Sequence, residues 1–190
     1  GLKEKLGIPA GAPVILTPAR IAEEKNIPLV LDIAPQVAAR FPEAYFVVAG
    51  DGPLLDQMKA RVAREGISNV KFIGYFNDVE ALLSIADIFL LPSFLELHSI
   101  AILEAMRSGV PVVVSSDVGC NSEFIEDGVN GILRDPFRSD GWAGAIMSLL
   151  SDEVQRRRMG EQGRALCRER FDIQRTARRF EELYKELLAA

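Results

Sequence analysis

Residues 88–114 read IFLLPSFLELHSIAILEAMRSGVPVVV and contain a complete strand–helix–strand unit. The apolar runs Ile88–Leu91 and Pro111–Val114 predict buried strands, and Ser99–Ser108 predicts a helix that ends at Gly109. Two strands joined by a helix in this order form a parallel pair with a right-handed crossover. This stretch therefore predicts an α/β fold built on a parallel sheet.

The same alternation of strands and helices extends through most of the chain. Further strands are predicted at Val14–Thr17, Tyr45–Ala49, Val70–Ile73 and Gly131–Leu133, and further helices at Asn26–Arg40 and Leu54–Arg64. Asn77 and Glu80 have the spacing of a capping box at the start of a short helix. Because nearly continuous apolar strands are typical of sheets covered on both faces, we expect a Rossmann-like, doubly wound parallel sheet of about six strands with helices on both faces.

The composition excludes several classes of protein. The 190 residues are 48% hydrophobic and 26% charged, with a net charge of −5, which is typical of a globular domain and not of a disordered chain. An acidic chain without a basic stripe argues against nucleic acid as the main partner. The single histidine, His98, rules out a metal site with three histidine ligands.

The cysteines and the lengths of the apolar stretches indicate in which cellular compartment the protein works. Cys120 and Cys167 form no C-x-x-C motif and predict buried free thiols in a reducing environment. No apolar stretch is long enough to cross a bilayer, and no signal segment opens the chain. We therefore expect a cytoplasmic protein. The basic run Arg156–Arg158 is either the exposed face of a helix or a contact with an acidic neighbour or with anionic lipid at the membrane's cytoplasmic face.

Ligands of doubly wound sheets bind beyond the carboxyl ends of the strands, so the loops there carry the candidate site. Ser99 and Ile100 begin the predicted helix, where free backbone N–H groups favour an anion. Glu104 lies on that helix, which we expect to be buried because it is apolar nearly all round. A buried carboxylate needs a partner, either Arg107 three residues on or the hydroxyls of a ligand. With Glu96 on the other side of the anion site, the spacing fits a nucleoside-diphosphate sugar.

Two further loops supply candidate residues. Arg20 and Lys25 follow the first predicted strand, where they either pair with Glu23 and Glu24 or hold the same phosphates. His98 is either a packing residue or a general base.

Other motifs are weak or missing. The Gly50–Pro53 loop lacks the third glycine of a dinucleotide fingerprint. No P-loop, D-x-D or G-x-S-x-G motif occurs, so the sequence predicts no metal site and no hydrolase triad.

Seven ordered blocks of the chain resemble the retaining GT-B glycosyltransferases of the GT4 type. Glu96–Met106 is similar to the E-x7-E motif of that family, and Ala19–Arg20 with Glu24–Asn26 is similar to its G-R-x-x-x-E-K-N motif. The other similar blocks are Gly50–Pro53, Val70–Tyr75, Ala86–Ser93, Gly109–Val113 and Glu123–Gly131. The chain differs at Ala19, where the family usually has glycine, and at Leu97–Ser99, where many members have Gly-Phe-Gly. The bulkier residues at positions 97 and 98 bear on the sugar more than on the nucleotide, and the sequence alone names neither the sugar, the acceptor nor the base.

The resemblance implies a role for each candidate residue. Arg20 and Lys25 would hold the diphosphate of the sugar donor and stabilise its charge as it leaves. Glu96 would contact the transferred sugar, and Glu104 would accept the ribose hydroxyls. The remaining residues implied in donor binding are Ser99 and Ile100 through their amides, Tyr75 beside the base, and Gly52 and His98.

The resemblance also implies how the chain is organised. Residues 1–170 would form the donor-binding domain, and residues 171–190 a helix that crosses to a missing N-terminal, acceptor-binding domain. The reaction would move a sugar from a nucleoside diphosphate to a glycan or lipid acceptor with retention, without a metal or other cofactor, and this half would be inactive alone. The alternatives are a non-catalytic nucleotide-sugar-binding module and a nucleotide-sugar epimerase of the same architecture. A single histidine disfavours the epimerase.

Overall fold

Six parallel strands form one sheet in the computed structural model, which describes residues 1–189. The strands are β1 (Val14–Pro18), β2 (Tyr45–Ala49), β3 (Val70–Gly74), β4 (Ile88–Leu91), β5 (Val112–Ser115) and β6 (Ile132–Arg134). Their order is β3-β2-β1-β4-β5-β6, so the chain reverses its direction of progress between β1 and β4. A crevice at the carboxyl ends of the strands is expected at this reversal. The predicted fold class is confirmed.

Helices cover both faces of the sheet. They are α1 (Leu2–Lys5), α2 (Ile27–Ala38), α3 (Leu55–Glu65), α4 (Val79–Ile85), α5 (Ile100–Ser108), α6 (Asn121–Phe124), α7 (Trp142–Ser151), α8 (Glu153–Arg170) and α9 (Ile173–Ala189), with a 3₁₀ turn at Glu23–Lys25. Alternate strand residues enter two cores, because successive side chains of a strand point to opposite faces. Ile15 packs with the core under α2, α3 and α7, whereas Val14 and Leu16 pack with the core under α4 and α5.

Two local predictions about the helices are wrong. The cap of α4 is Asp78 rather than Asn77, since a carboxylate oxygen of Asp78 accepts a hydrogen bond of 2.9 Å from the backbone N–H of Ala81. Helix α5 is not buried all round, because Ile100 is 69% exposed and Glu104 is exposed as well. The apolar composition of α5 predicted burial on all sides, but α8 packs against only one side of this helix.

The last helix has an uncovered apolar stripe. Phe180, Leu183, Tyr184 and Leu187 are between 46% and 66% exposed on α9. Among residues 1–189, no helix is both long enough and apolar enough to cross a membrane. Ala190, the last residue of the predicted crossing segment 171–190, lies outside the described residues.

Candidate functional site

An ion pair between Lys25 and Glu96 lies where the loops after β1 and β4 meet. Lys25 Nζ is 2.7 Å from Glu96 Oε1, and the side chains are 21% and 9% exposed. The two residues are 71 positions apart in sequence, but β1 and β4 are neighbours in the sheet. Lys25 therefore pairs with Glu96 rather than with Glu23 or Glu24. A pair this shielded from water is screened less than one at the open surface.

Backbone contacts lock these two loops together. The carbonyl of Glu24 accepts hydrogen bonds from the N–H groups of Phe94 at 2.8 Å and Leu95 at 3.4 Å. A serine also contacts the ion pair, since Ser93 Oγ donates to Glu96 Oε1 at 2.7 Å. These contacts hold the loop after β4 in one position relative to Lys25.

A third loop, which follows β6, contacts both of these loops. The side-chain amide of Asn26, which is 6% exposed, donates to the carbonyl of Pro136 at 3.2 Å. The rings of Phe94 and Phe137 stack with their centroids 5.2 Å apart. Sequence reasoning missed Ser93, Asn26 and Phe137. The E-K-N block, of which Asn26 is the last residue, and the block Ala86–Ser93 carried a signal for two of them.

Arg20 lies in a separate cavity of about 410 Å³ at the ends of β1 to β3. The residues that line this cavity are Pro18, Ala19, Arg20, Ala49, Gly50, Asp51, Tyr75, Phe76, Val79 and Leu82. Arg20 is exposed, and none of the ion pairs within the described part of the chain includes it. Tyr75 is 77% exposed at the rim. The cavity is a mostly apolar slot with one unpaired guanidinium at its edge.

Glu104 lies next to this slot. It lines a cavity of about 290 Å³ together with Val79, Glu80, Leu83, Arg107 and Ser108. Val79 borders both cavities, so the two adjoin. Within residues 1–189, no ion pair joins Glu104 to Arg107, which removes the partner that the i,i+3 spacing suggested. The carboxylate of Glu104 is therefore free to accept hydrogen bonds from a ligand.

The remaining predicted residues lie around the start of α5. Ser99 precedes the first turn of α5, is 8% exposed, and its side chain makes no capping hydrogen bond. His98 is exposed, and its ring centroid lies 5.9 Å from that of Phe124 and 6.1 Å from that of Phe171. This aromatic contact agrees with the packing interpretation of His98.

Gly52 belongs to the loop after β2. A Cβ at position 52 would lie 2.4 Å from the carbonyl oxygen of Ile21, so the loops after β1 and β2 approach as closely as they do only because residue 52 is glycine. The amide of Ile21 also donates to the carbonyl of Asp51 at 2.9 Å. Gly52 thus shapes the wall beside Arg20.

The two cysteines and two of the three arginines in the run Arg156–Arg158 have local surroundings that the structure describes. Both cysteines are free; Cys167 is buried, but Cys120 is only half-buried, so the prediction of two buried thiols is right for one. Arg156 Nη2 lies 3.7 Å from Asp87 Oδ1, and Arg157 pairs with Glu153 one turn earlier. No cluster of three or more metal-ligating side chains occurs among the residues that the structure describes.

Comparison with known proteins identifies the family of the chain. Residues 2–166 match the family described as Glycosyl transferases group 1. The chain is 30% identical to an alpha-D-kanosaminyltransferase of Streptomyces kanamyceticus, over 98% of the chain and 48% of that protein. It is 32% identical to the lipopolysaccharide core biosynthesis glycosyltransferase LpsE of Rhizobium meliloti, over 85% of the chain and 46% of that protein. The chain spans about half the length of these curated relatives.

Solved structures show the same fold. HepE of Anabaena in complex with UDP superposes with a TM-score of 0.89 at 26% identity, over 97% of this chain and 51% of HepE. The C-terminal domain of LpcC, a group 1 glycosyl transferase of Francisella tularensis, superposes with a TM-score of 0.80 at 24% identity, over 90% of this chain and 91% of that one. The chain thus belongs to the group 1 glycosyltransferases, and its fold is that of a GT-B glycosyltransferase domain.

Proposed function

We propose that this chain is the sugar-donor half of a retaining glycosyltransferase, which moves a hexose from a nucleoside-diphosphate sugar to a glycan or lipid acceptor. The observation that carries the proposal is the Lys25–Glu96 pair at the β1–β4 crevice, beside the slot that contains Arg20. The complexes of HepE with UDP and with UDP-glucose support this type of ligand, since HepE has the same fold.

The donor would extend across the carboxyl edge of the sheet. The apolar slot beside Tyr75 suits the flat face of a base, and Glu104 in the adjoining cavity suits the two hydroxyls of ribose. The diphosphate would then lie between Arg20, Lys25 and the first amides of α5, where positive charge and a helix N-terminus favour an anion. The sugar would reach Glu96. His98 and Gly52 would border this path.

The residues of the crevice would stabilise the departing diphosphate. In the transfer step, the bond between the anomeric carbon and the diphosphate oxygen breaks, and its electron pair leaves with the diphosphate. Fixed cations close to that oxygen stabilise the developing charge without reorganising. Lys25 and Arg20 would do so, and the acceptor oxygen would bond to the anomeric carbon on the face that the diphosphate leaves, while the acceptor's proton passes to the departing diphosphate oxygen.

The reaction is therefore expected to need no metal ion. The transferase activity of the longer enzyme that we propose contains this chain should survive EDTA, because side chains supply the positive charge. The measurement is release of free nucleoside diphosphate with and without EDTA. Loss of activity that Mg²⁺ or Mn²⁺ restores would contradict this expectation.

The other half of the enzyme would bind the acceptor. We propose that residues 1–170 act as the donor-binding domain and that α9 packs its exposed stripe against an N-terminal half that is absent here. The match of the chain to the crystallised LpcC domain over nearly all of both chains supports a unit of this size. Catalysis requires both substrates to be aligned and water to be excluded, so this half alone should not transfer sugar. The longer enzyme would work in the cytoplasm, in contact with the membrane where the acceptor is a lipid.

Calorimetric titration of the chain tests the proposal. The ligands are UDP, GDP and ADP, followed by UDP-glucose, UDP-N-acetylglucosamine, GDP-mannose and ADP-glucose. We expect one nucleoside diphosphate to bind with a Kd on the order of 10⁻⁵–10⁻³ M, because a half-open cleft contributes only part of the contacts. No binding of any ligand in this panel by the folded chain would contradict the proposal, as would sugar transfer by the chain alone.

A further inference from the structure

The carboxylate of Glu96 is held through one of its two oxygens. Lys25 Nζ and Ser93 Oγ both donate to Oε1, each at 2.7 Å. Oε2 has no hydrogen-bond partner within residues 1–189, although the side chain is only 9% exposed. Two donors on one oxygen fix the rotation of the carboxylate and leave the other oxygen available to a ligand.

Ser93 is itself anchored to the neighbouring strand. It is fully buried, and its carbonyl accepts a hydrogen bond of 2.7 Å from Ser115 Oγ at the end of β5. The carbonyl of Ser115 accepts one of 2.9 Å from Asn121 Nδ2 in α6. The backbone of Ser93, which carries the hydroxyl, is thus held by a buried serine of β5, which a buried asparagine of α6 holds in turn, and none of these three residues belongs to the proposed donor contacts.

Lys25 would share its ammonium between Glu96 and a bound diphosphate. The ammonium is a compact charge with three donors on a flexible four-carbon stem, so a diphosphate beside it would draw it partly away from Glu96. The Ser93 hydroxyl carries no charge and lies on rigid backbone, so a phosphate does not draw it away. The Ser93 hydroxyl can therefore keep Glu96 in place while Lys25 binds the diphosphate.

We propose that Ser93 is a positioning residue for sugar recognition: its hydroxyl holds Oε1 of Glu96 so that Oε2 accepts from hydroxyls of the transferred sugar. This inference rests on the proposed function and adds a residue to it. Ser93 acts on the sugar through Glu96, so its removal should affect the sugar part of the donor and not the nucleoside diphosphate.

The test compares two ligands that differ only in the sugar. The chain and its Ser93→Ala variant are titrated with the best-bound nucleoside diphosphate of the panel and with its sugar form. We expect Ser93→Ala to reduce the preference for the sugar form about two- to tenfold, since one hydrogen bond to a charged group is lost. Affinity for the diphosphate alone should not change. Adding Ser93→Ala to Glu96→Gln should cause no further loss of preference, because glutamine already lacks the second carboxylate oxygen through which Ser93 would act.

Thr17→Val is the matched control. Thr17 is 1% exposed at the end of β1, and its Oγ1 has no hydrogen-bond partner in the described part of the chain, so the change removes a buried hydroxyl that holds nothing. It should leave the sugar preference unchanged. If Ser93→Ala fails to give a native circular dichroism spectrum, Ser93→Cys replaces it, because a thiol has a similar shape but donates weakly.

The possible results separate the two proposals. An unchanged sugar preference in the folded Ser93 variant, or an equal loss of affinity for both ligands, overturns the positioning role and leaves the proposed function intact. Equal affinity of the native chain for both ligands also overturns it, because Glu96 would then make no sugar contact. Failure of the native chain to bind any ligand of the panel refutes the proposed function, and the inference with it.

Discussion

Glu104 is exposed on α5 and forms none of the ion pairs within residues 1–189, which leaves its carboxylate available to a nucleotide. Glu104→Ala should weaken binding of the nucleoside diphosphate by about 1.5–3 kcal/mol, because hydrogen bonds to a charged acceptor are lost. Calorimetry measures the change. Glu43→Ala is the control, since Glu43 is exposed just before β2, at the opposite edge of the sheet. Unchanged affinity in a folded Glu104 variant would remove this residue from the site.

The two cysteines should differ in reactivity. Burial raises the pKa of the Cys167 thiol, against a smaller opposite effect of Arg107, so less of it is thiolate at a given pH. Because the thiolate is the reactive form, iodoacetamide should modify the half-buried Cys120 before Cys167, and raising the pH should speed the reaction of Cys167. Peptide mapping by mass spectrometry follows both sites. Earlier modification of Cys167 in the native chain would show that α8 opens readily.

At the scale of single elements, the loop after β5 determines how the loop after β4 lies. Gly119 has φ +56°, and a Cβ there would lie 2.5 Å from the carbonyl oxygen of Glu96 and 2.6 Å from that of Leu97. Gly119→Ala should therefore lower the free energy of unfolding by about 1–3 kcal/mol and weaken binding of the sugar form, because both loops must move.

Gly144→Ala provides the comparison for this change. Gly144 lies within α7, and a Cβ there meets no atom within 4 Å. This substitution should raise the free energy of unfolding by up to about 1 kcal/mol, as alanine favours a helix over glycine. Urea unfolding measures both variants. Equal stability of the two would mean that the loops after β4 and β5 adapt to each other.

For the molecule as a whole, a substitution in the exposed stripe of α9 should affect association with the other half of the enzyme and not the stability of this chain. Leu183→Ser should change the free energy of unfolding of this chain by less than about 0.5 kcal/mol, since Leu183 is 46% exposed and contributes little to the core. The same change should weaken association with the proposed acceptor half, which a pull-down or calorimetry with that half would measure. Leu149→Ala in α7, where the side chain is fully buried, should cost about 2–5 kcal/mol. A large loss of stability from Leu183→Ser would place the stripe in this chain's own core.

The sequence by itself determined the fold class, the six strands and the ends of α2, α3 and α5 to within two residues. Buried parallel strands are short apolar runs, and helices that end at glycine, as α3 does at Gly66 and α5 at Gly109, carry a local signal. The motif blocks likewise indicated the family, because they are contiguous. The roles of Arg20, Glu104 and the other candidate residues stay predictions, since no ligand contact tests them.

Only the tertiary structure decided which side chains meet. Lys25 pairs with Glu96 across 71 residues rather than with its neighbours Glu23 and Glu24, because β1 and β4 lie side by side. The hydrogen bond from Ser93 to Glu96 spans only three residues, yet it depends on a loop that β5 and α6 hold in place. The exposure of Glu104 follows from which side of α5 the sheet and α8 cover. Such contacts depend on the order of strands in the sheet, and local periodicity carries no information about that order.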